Sequence, residues 1–161
     1  RNGSPSMSQV DPPEEIRVHV ENLQNALPVD QDRVIRLVRF VLEKEQRFGE
    51  ISVCFVDDEA IARLHGEYLG DPTPTDVITF PLSEEDSRPL DGEIVISSGA
   101  AIRQAQEHLS TPLTELHLYV VHGLLHLTGF DDLTEADAQK MEAAQEAYLG
   151  AWIALYGPFT D

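Results

Sequence analysis

Hydrophobic and polar positions recur with two different periods in the first third of the chain. Residues 16–21 alternate singly between apolar and polar side chains, which is the period of a half-buried β-strand. From Asp30 to about Phe48 the apolar residues recur every three or four positions, which predicts an amphipathic helix ending at Gly49. The face opposite the apolar stripe would carry five cations: Arg33, Arg36, Arg39, Lys44 and Arg47.

Three further strands are predicted from short apolar runs that lie between turn residues. These runs span residues 51–56, 77–80 and 93–97. After the first of them, Asp57 is placed to cap a helix that reaches about Leu69. The first half of the chain therefore mixes strands with helices.

The second half of the chain is predicted to be mostly helical. Ser98 would cap a helix over residues 99–109. Thr134, with Asp137 three residues later, resembles a capping box and predicts a last helix that reaches about Leu155. A further helix is predicted between these two, from Thr111 to about Thr128. The elements together predict a single α+β domain, with a sheet of about four strands packed with about five helices.

Length and composition limit the class of protein. A chain of 161 residues can bury a core without a structural metal, so any metal would serve function. Residues 1–6 are small and polar and precede Met7; we interpret them as an expression scar and expect one domain at 7–161. No apolar run approaches the roughly 20 residues that cross a bilayer, which favours a cytoplasmic protein without membrane contact. The single cysteine, Cys54, is predicted to be a small buried core residue.

The charge balance is strongly acidic. Eleven Lys and Arg face 29 Asp and Glu, for a net charge of −18. This balance disfavours general attraction to nucleic acid or to anionic lipid, so an RNA would have to be held locally. The basic face of the 30–48 helix is the one concentration of positive charge that could hold it; the alternative is a solvated face paired with neighbouring acids.

A catalytic type of zinc site is predicted near residue 126. Thr111 and Pro112 begin a helix that runs to about Thr128, and its two histidines, four positions apart, would lie one turn apart on one face. Gly129 can end the helix in the left-handed conformation and turn the chain back. The three metal ligands would then be two imidazoles and one carboxylate, with a fourth position left for water: His122, His126 and Asp132.

Other interpretations of the same residues stay open. The two histidines could be ordinary residues of a half-buried helix, and Asp131 is a competing acid that could be catalytic or support a ligand. The spacing resembles the long zinc motif of metzincin peptidases, but Gly123 stands where those enzymes carry the Glu general base. A peptidase would need a carboxylate from elsewhere, such as Asp131 or Glu93.

Three motifs in order resemble the YbeY family of bacterial metal-dependent endoribonucleases. Residues 122–132 read HGLLHLTGFDD, close to the family signature HGxLHLxGYDH. Upstream, residues 74–81 (PTDVITFP) and 92–97 (GEIVIS) are similar to the family's PTDVLSFP and GDIxIS. Met141, Glu142 and Glu146 continue the agreement, so the resemblance covers nearly the whole chain past residue 16.

Two departures from the family pattern bear on chemistry. The family's third zinc ligand is His, whereas this chain has Asp132, a harder and anionic oxygen ligand that could change the preferred metal. Where the family usually carries an Arg and a Lys, both candidates to hold phosphate, this chain has Leu69 and Asp71.

The resemblance implies a function. It implies a single-strand-specific endoribonuclease of ribosomal RNA maturation (16S 3′ end) and ribosome quality control, with one zinc or other divalent ion per chain. The partner would be ribosomal RNA rather than DNA. One alternative is a ribosome-assembly factor with weak or no catalysis, bound to ribosomal proteins or an assembly GTPase; a metallopeptidase is a weaker one.

Overall fold

The structure is a computed structural model that describes residues 14–70 and 75–160. The scar predicted at residues 1–6 lies outside the described residues, as do Asp71 and the side chain of Leu69. The start of the domain at residue 7 therefore stays a prediction.

Four strands and five helices follow one another along the described residues. In chain order they are β1 (Ile16–Asn22), α1 (Gln31–Lys44), β2 (Gly49–Val56), α2 (Asp58–Leu69), β3 (Val77–Pro81), β4 (Gly92–Ser97), α3 (Ser98–Glu107), α4 (Pro112–Thr128) and α5 (Glu135–Tyr156). The prediction of an α+β domain with about four strands and about five helices is confirmed.

The four strands form one mixed sheet in the order β1-β2-β4-β3. Strands β1, β2 and β4 are parallel, and β3 pairs with β4 in the antiparallel direction. Side chains of successive residues point to opposite faces of a strand. In β4 the buried Ile94 and Ile96 therefore face the main core, while Val95 between them faces the other side.

The two faces of the sheet are covered unequally. Helix α1 packs on β1 and α4, and α4 packs on β3, β4, α3 and α5, so the main core lies on this face. Helix α2 alone contributes to a smaller cluster on the opposite face, around Ile61 and Val95. Helix α4 is thus central to the fold, which explains why its apolar residues outnumber those of an ordinary surface helix.

Two predicted helix boundaries are wrong, each for a local reason. Helix α1 ends at Lys44 rather than near Phe48, because Gln46 adopts a left-handed conformation (φ 57°). The cap of α3 is Ser97, whose Oγ accepts from the N–H of Ala100 at 3.1 Å. Ser98, the predicted cap, is instead the first residue of that helix.

Cys54 does not lie in the core. It is only half-buried, on the less covered face of the sheet, and its Sγ donates a hydrogen bond to the Glu21 carboxylate at 3.8 Å. Burial, with the neighbouring carboxylates adding to it, raises the thiol pKa to about 11. Within the described part of the chain, no helix is both long and apolar enough to cross a membrane.

Candidate metal centre

Both ends of α4 are fixed by the residues that the sequence places there. Thr111 accepts from the N–H of Thr114 at 3.2 Å, and Pro112 stands at the first turn, where no N–H is needed. At the other end Gly129 has φ 117°, and its N–H donates to the carbonyl of His126 at 3.1 Å. This left-handed cap turns the chain back toward the helix.

His122 and His126 are both half-buried on α4, and His126 lines a cavity together with Thr79 and Pro81 of β3. Their rings are one turn apart, with centroids separated by 4.6 Å and planes inclined by 75°. Asp132 follows the turn and places Oδ2 3.9 Å from Nε2 of His126. One ligand atom from each of the three residues lies within 4.8 Å of the other two. The structure therefore brings together the three predicted ligands.

The donor set of these three residues fits a zinc ion. Two imidazole nitrogens and one carboxylate oxygen are common zinc ligands, and three protein ligands leave a fourth position of a tetrahedron for water or substrate. Asp132 is about half exposed, so this side of the site is open to solvent. The arrangement suits a catalytic ion better than a closed structural one.

Gln145 of α5 orients the first histidine. Nδ1 of His122 donates a hydrogen bond to Oε1 of Gln145, so the lone pair of this ring lies on Nε2. Metal-binding histidines commonly donate their other ring nitrogen in this way. Gln145 was not predicted from the sequence, because its contact with His122 depends on the packing of α5 on α4.

Burial favours the neutral form of the second histidine. Burial lowers the pKa of His126 below its ordinary value; His122 adds to this effect, and the Asp132 carboxylate opposes it. Only a neutral imidazole has a lone pair for a metal, so partial burial favours a ligand-ready ring.

Asp131 is not one of the three clustered residues. Its Oδ1 accepts from the backbone N–H of Leu133 at 3.2 Å, and the side chain is exposed. That bond forms an Asx turn, which shapes the loop carrying Asp132. Its catalytic role stays a prediction.

The position where a metzincin peptidase carries its Glu general base is occupied here by Gly123, and the packing around it leaves no room for a side chain. A Cβ at Gly123 would lie 2.6 Å from Cγ2 of Ile94 in β4, so this position of α4 is pressed against the sheet. Glu93, considered as a substitute base, precedes Ile94 and therefore points to the opposite face of the sheet.

A cavity lies on each side of the three clustered residues. One, of about 540 Å³, is lined by His126, Arg47, Thr79 and the acidic loop before β4. The other, of about 630 Å³, is lined by His122 and Asp132 together with residues of α4 and α5. A substrate crossing the ligands would thus meet two different surroundings.

The five predicted RNA-binding cations do not form one face. Arg36 and Arg39 are exposed on α1, and Lys44 lies over the ring of Phe40. Arg33 lies near the start of the helix and lines a separate cavity with His117. Arg47, beyond the end of the helix, is the one of the five that lines a cavity beside the ligands, and within the described residues it makes no ion pair.

Comparisons with known proteins identify relatives of this chain. A family model described as Endoribonuclease YbeY matches residues 19–152. The Endoribonuclease YbeY of Protochlamydia amoebophila (strain UWE25) is 39% identical over 135 residues, which cover 82% of this chain and 90% of that protein. That of Bacillus velezensis (strain DSM 23117 / BGSC 10A6 / LMG 26770 / FZB42) is 38% identical over 128 residues, covering 72% and 82%.

A solved structure shares the fold. The solution structure of TM1509 from Thermotoga maritima aligns with a TM-score of 0.59 and 26% identity, and the alignment covers 89% of this chain and 97% of that one.

Proposed function

Because this chain belongs to the YbeY family of endoribonucleases, we propose that it is a zinc-dependent hydrolase that cleaves single-stranded ribosomal RNA during maturation and quality control of the ribosome. Its place of action would be the cytoplasm, where ribosomal RNA is processed. The observation that carries the proposal is the clustering of His122, His126 and Asp132 at the open edge of α4.

Each residue of the site would have its own role in binding the metal and adjusting its reactivity. Bound zinc would supply a Lewis acid that polarises a phosphoryl oxygen or lowers the pKa of a water. His122, held by Gln145, and His126, whose burial favours the neutral ring, would present their lone pairs to the metal. Asp132 adds a negative charge, which makes the ion a weaker Lewis acid than three imidazoles would. Another divalent ion therefore remains an alternative to zinc.

RNA has to be held by local contacts, since the chain carries a net charge of −18. Arg47 supports such a contact, because it lines the cavity that His126 also lines. The exposed Arg36 and Arg39 offer further phosphate contacts along α1. Because salt screens exposed charges, these contacts would be weak.

The test is cleavage of a defined ribosomal RNA fragment by purified protein. We expect cleavage that a chelator abolishes, that added zinc restores, and that Asp132→Ala loses together with bound metal. Asp32→Asn removes the same charge at an exposed position of α1 and should leave cleavage unchanged. Cleavage that resists the chelator, or that Asp132→Ala retains in full, would contradict the proposal.

A second candidate function is supported by the charge. A ribosome-assembly factor with weak or no catalysis would be attracted to basic ribosomal proteins, or would act with an assembly GTPase, through the net charge of −18. Cells that carry a folded Asp132→Ala protein distinguish the two functions. Full restoration of ribosomal RNA processing by that variant would favour the assembly role, and its loss would favour the nuclease.

A further inference from the structure

The cavity on the His122 side of the metal centre is lined by both apolar side chains and carboxylates. It occupies about 630 Å³ between α4 and α5 and has an apolar wall. That wall is formed by Leu118, Tyr119, Met141 and Leu149. Pockets for small organic groups typically combine such a wall with a few well-placed polar atoms.

Glu115 supplies a polar atom that lacks a partner. The residue lines this cavity and is only 3% exposed. Its Oε1 accepts from Nδ1 of His108 at 3.1 Å, while its Oε2 is buried without a hydrogen-bond partner among the described residues. A buried carboxylate oxygen without a donor is costly, so it marks a place where a ligand N–H would be stabilised. The last torsion of a Glu side chain is soft, and a small rotation would turn Oε2 toward a guest.

The charge of the lining decides which part of an RNA fits. Five carboxylates and no Lys or Arg occur among the described residues around this cavity: Asp76, Glu115, Asp132, Glu142 and Glu146. Phosphate groups would be repelled here, whereas an uncharged base with N–H donors would be attracted. The cavity on the other side of the ligands contains Arg47 and is the better place for a phosphate.

Glu115 lies within reach of the metal ligands along α4. Glu115 and His122 are seven residues apart on α4, which is two turns, so they share a face of the helix. Seven residues of helix span roughly 10 Å. A nucleotide whose phosphate lies at the ligands could therefore extend its base along this face to Glu115.

We propose that this cavity is a subsite for the nucleobase next to the cleaved phosphate, and that Glu115 accepts a hydrogen bond from the exocyclic amino group of that base. The inference rests on the proposed endoribonuclease function. It predicts a preference for cytosine over uracil at this position, because uracil presents a carbonyl oxygen to Oε2 where cytosine presents an amino group.

The test compares two RNA oligonucleotides that differ only by C or U beside the cleavage site. We expect kcat/KM to be about tenfold higher for the C substrate, the size of one hydrogen bond to a charged group. Glu115→Gln, which keeps the shape, should reduce the preference to less than about threefold. Glu59→Gln removes an exposed charge on α2, outside this lining, and should leave the preference intact. Equal cleavage of both RNAs by the unaltered protein, or an undiminished preference in Glu115→Gln, would overturn the subsite; the first comparison needs no folded variant.

Binding separates this proposal from the function on which it rests. Fluorescence anisotropy with the same C and U oligonucleotides, in the presence of the chelator that stops cleavage, measures the same preference without catalysis. Tighter binding of the C oligonucleotide that Glu115→Gln abolishes would support the subsite even if the protein cleaved no RNA. Equal binding, in a protein that does cleave RNA, would overturn the subsite and leave the nuclease standing.

Discussion

Nδ1 of His122 on α4 donates a hydrogen bond to Oε1 of Gln145 on α5, across 23 positions of sequence. The bond fixes which ring nitrogen carries the proton and leaves the lone pair on Nε2. Since α5 packs on α4, the orientation of a metal ligand depends on the docking of a neighbouring helix. The site is therefore coupled to tertiary packing rather than contained in one helix.

Replacing Gln145 by Ala should weaken metal binding. Without the acceptor, the His122 ring can rotate and adopt the other tautomer, and losses of this kind cost roughly 10- to 100-fold in metal affinity. Gln145→Glu keeps an acceptor and should bind zinc at least as well as the unaltered protein. Competition with a chromophoric chelator measures these affinities. Gln139→Ala, an exposed glutamine on the same helix, is the matched control and should change nothing; equal affinities for the Gln145→Ala and Gln139→Ala proteins would contradict the role.

The aspartate in the third ligand position should influence the choice of metal. Asp132→His would give three neutral imidazoles, which should favour zinc more strongly over the harder Mn²⁺ and Mg²⁺, while Asp132→Ala should lose most bound metal. Metal content after equilibration with a mixture of ions, measured by mass spectrometry, reports both effects. Asp131→Asn keeps the acceptor of the Asx turn and should retain the metal. Unchanged metal content in Asp132→Ala would remove Asp132 from the ligand set.

The clustering of the three predicted ligands could be predicted from the sequence because it depends on local structure. The helical period places His122 and His126 on one face, and a glycine that ends a helix turns the chain toward Asp132. The capping residues Asp30, Asp57, Thr111 and Thr134 were predictable for the same reason, since a cap bonds to an N–H three residues away.

The remaining features depend on contacts between distant residues. The role of Gln145 requires α5 to dock on α4, and no local pattern encodes that pairing. Arg47 was placed on the α1 face because nothing in the sequence marks Gln46 as left-handed, a conformation that few residues other than glycine adopt. Cys54 looked like a core residue because its run is apolar, but α2 leaves its part of the sheet partly uncovered.

A methyl group at Gly123 should destabilise the fold. Its Cβ would lie 2.6 Å from Cγ2 of Ile94, in a part of the core where both the helix and the strand are fixed by neighbours. Overpacking of this kind typically costs about 1 to 3 kcal/mol. Urea unfolding of Gly123→Ala checks the value, and Gly150→Ala, whose Cβ would meet no atom within 4 Å, is the control in another helix. Equal unfolding free energies for the two variants would show that β4 yields to the methyl group.

Acid should destabilise the protein through His117. The ring stacks on Phe159 at 4.0 Å between centroids, and its Nδ1 donates to the carbonyl of Leu113 at 2.7 Å. Burial lowers the pKa of His117 to about 4, from 6.5 in the unfolded chain. Between these two values the unfolded state binds the extra proton, so stability is full above pH 6.5 and falls as the pH drops toward 4.

His117→Phe removes this titration and keeps a ring for Phe159 to stack on. Relative to its own value at pH 7.5, the free energy of unfolding at pH 4.5 should fall by about 2 kcal/mol more in the unaltered protein than in the variant. Urea unfolding at the two pH values gives both differences. Parallel losses in the two proteins would mean that His117 is accessible to protons in the folded state.

Arg47 should contribute more to RNA binding than the arginines exposed on α1. It lines the cavity beside His126, is half-buried and has no acidic partner among the described residues, so its charge is screened less than that of a solvated side chain. Arg47→Ala should weaken binding of a single-stranded RNA about tenfold, and it should reduce the slope of log affinity against log salt by roughly 0.7, the value for one phosphate contact.

Arg39→Ala removes the same charge at an exposed position and should change affinity less than about twofold. Titrations at three salt concentrations measure both quantities. If the Arg39 variant lost as much affinity as the Arg47 variant, the contact would lie along α1, as the hydrophobic pattern first suggested, and not in the cavity beside the metal ligands.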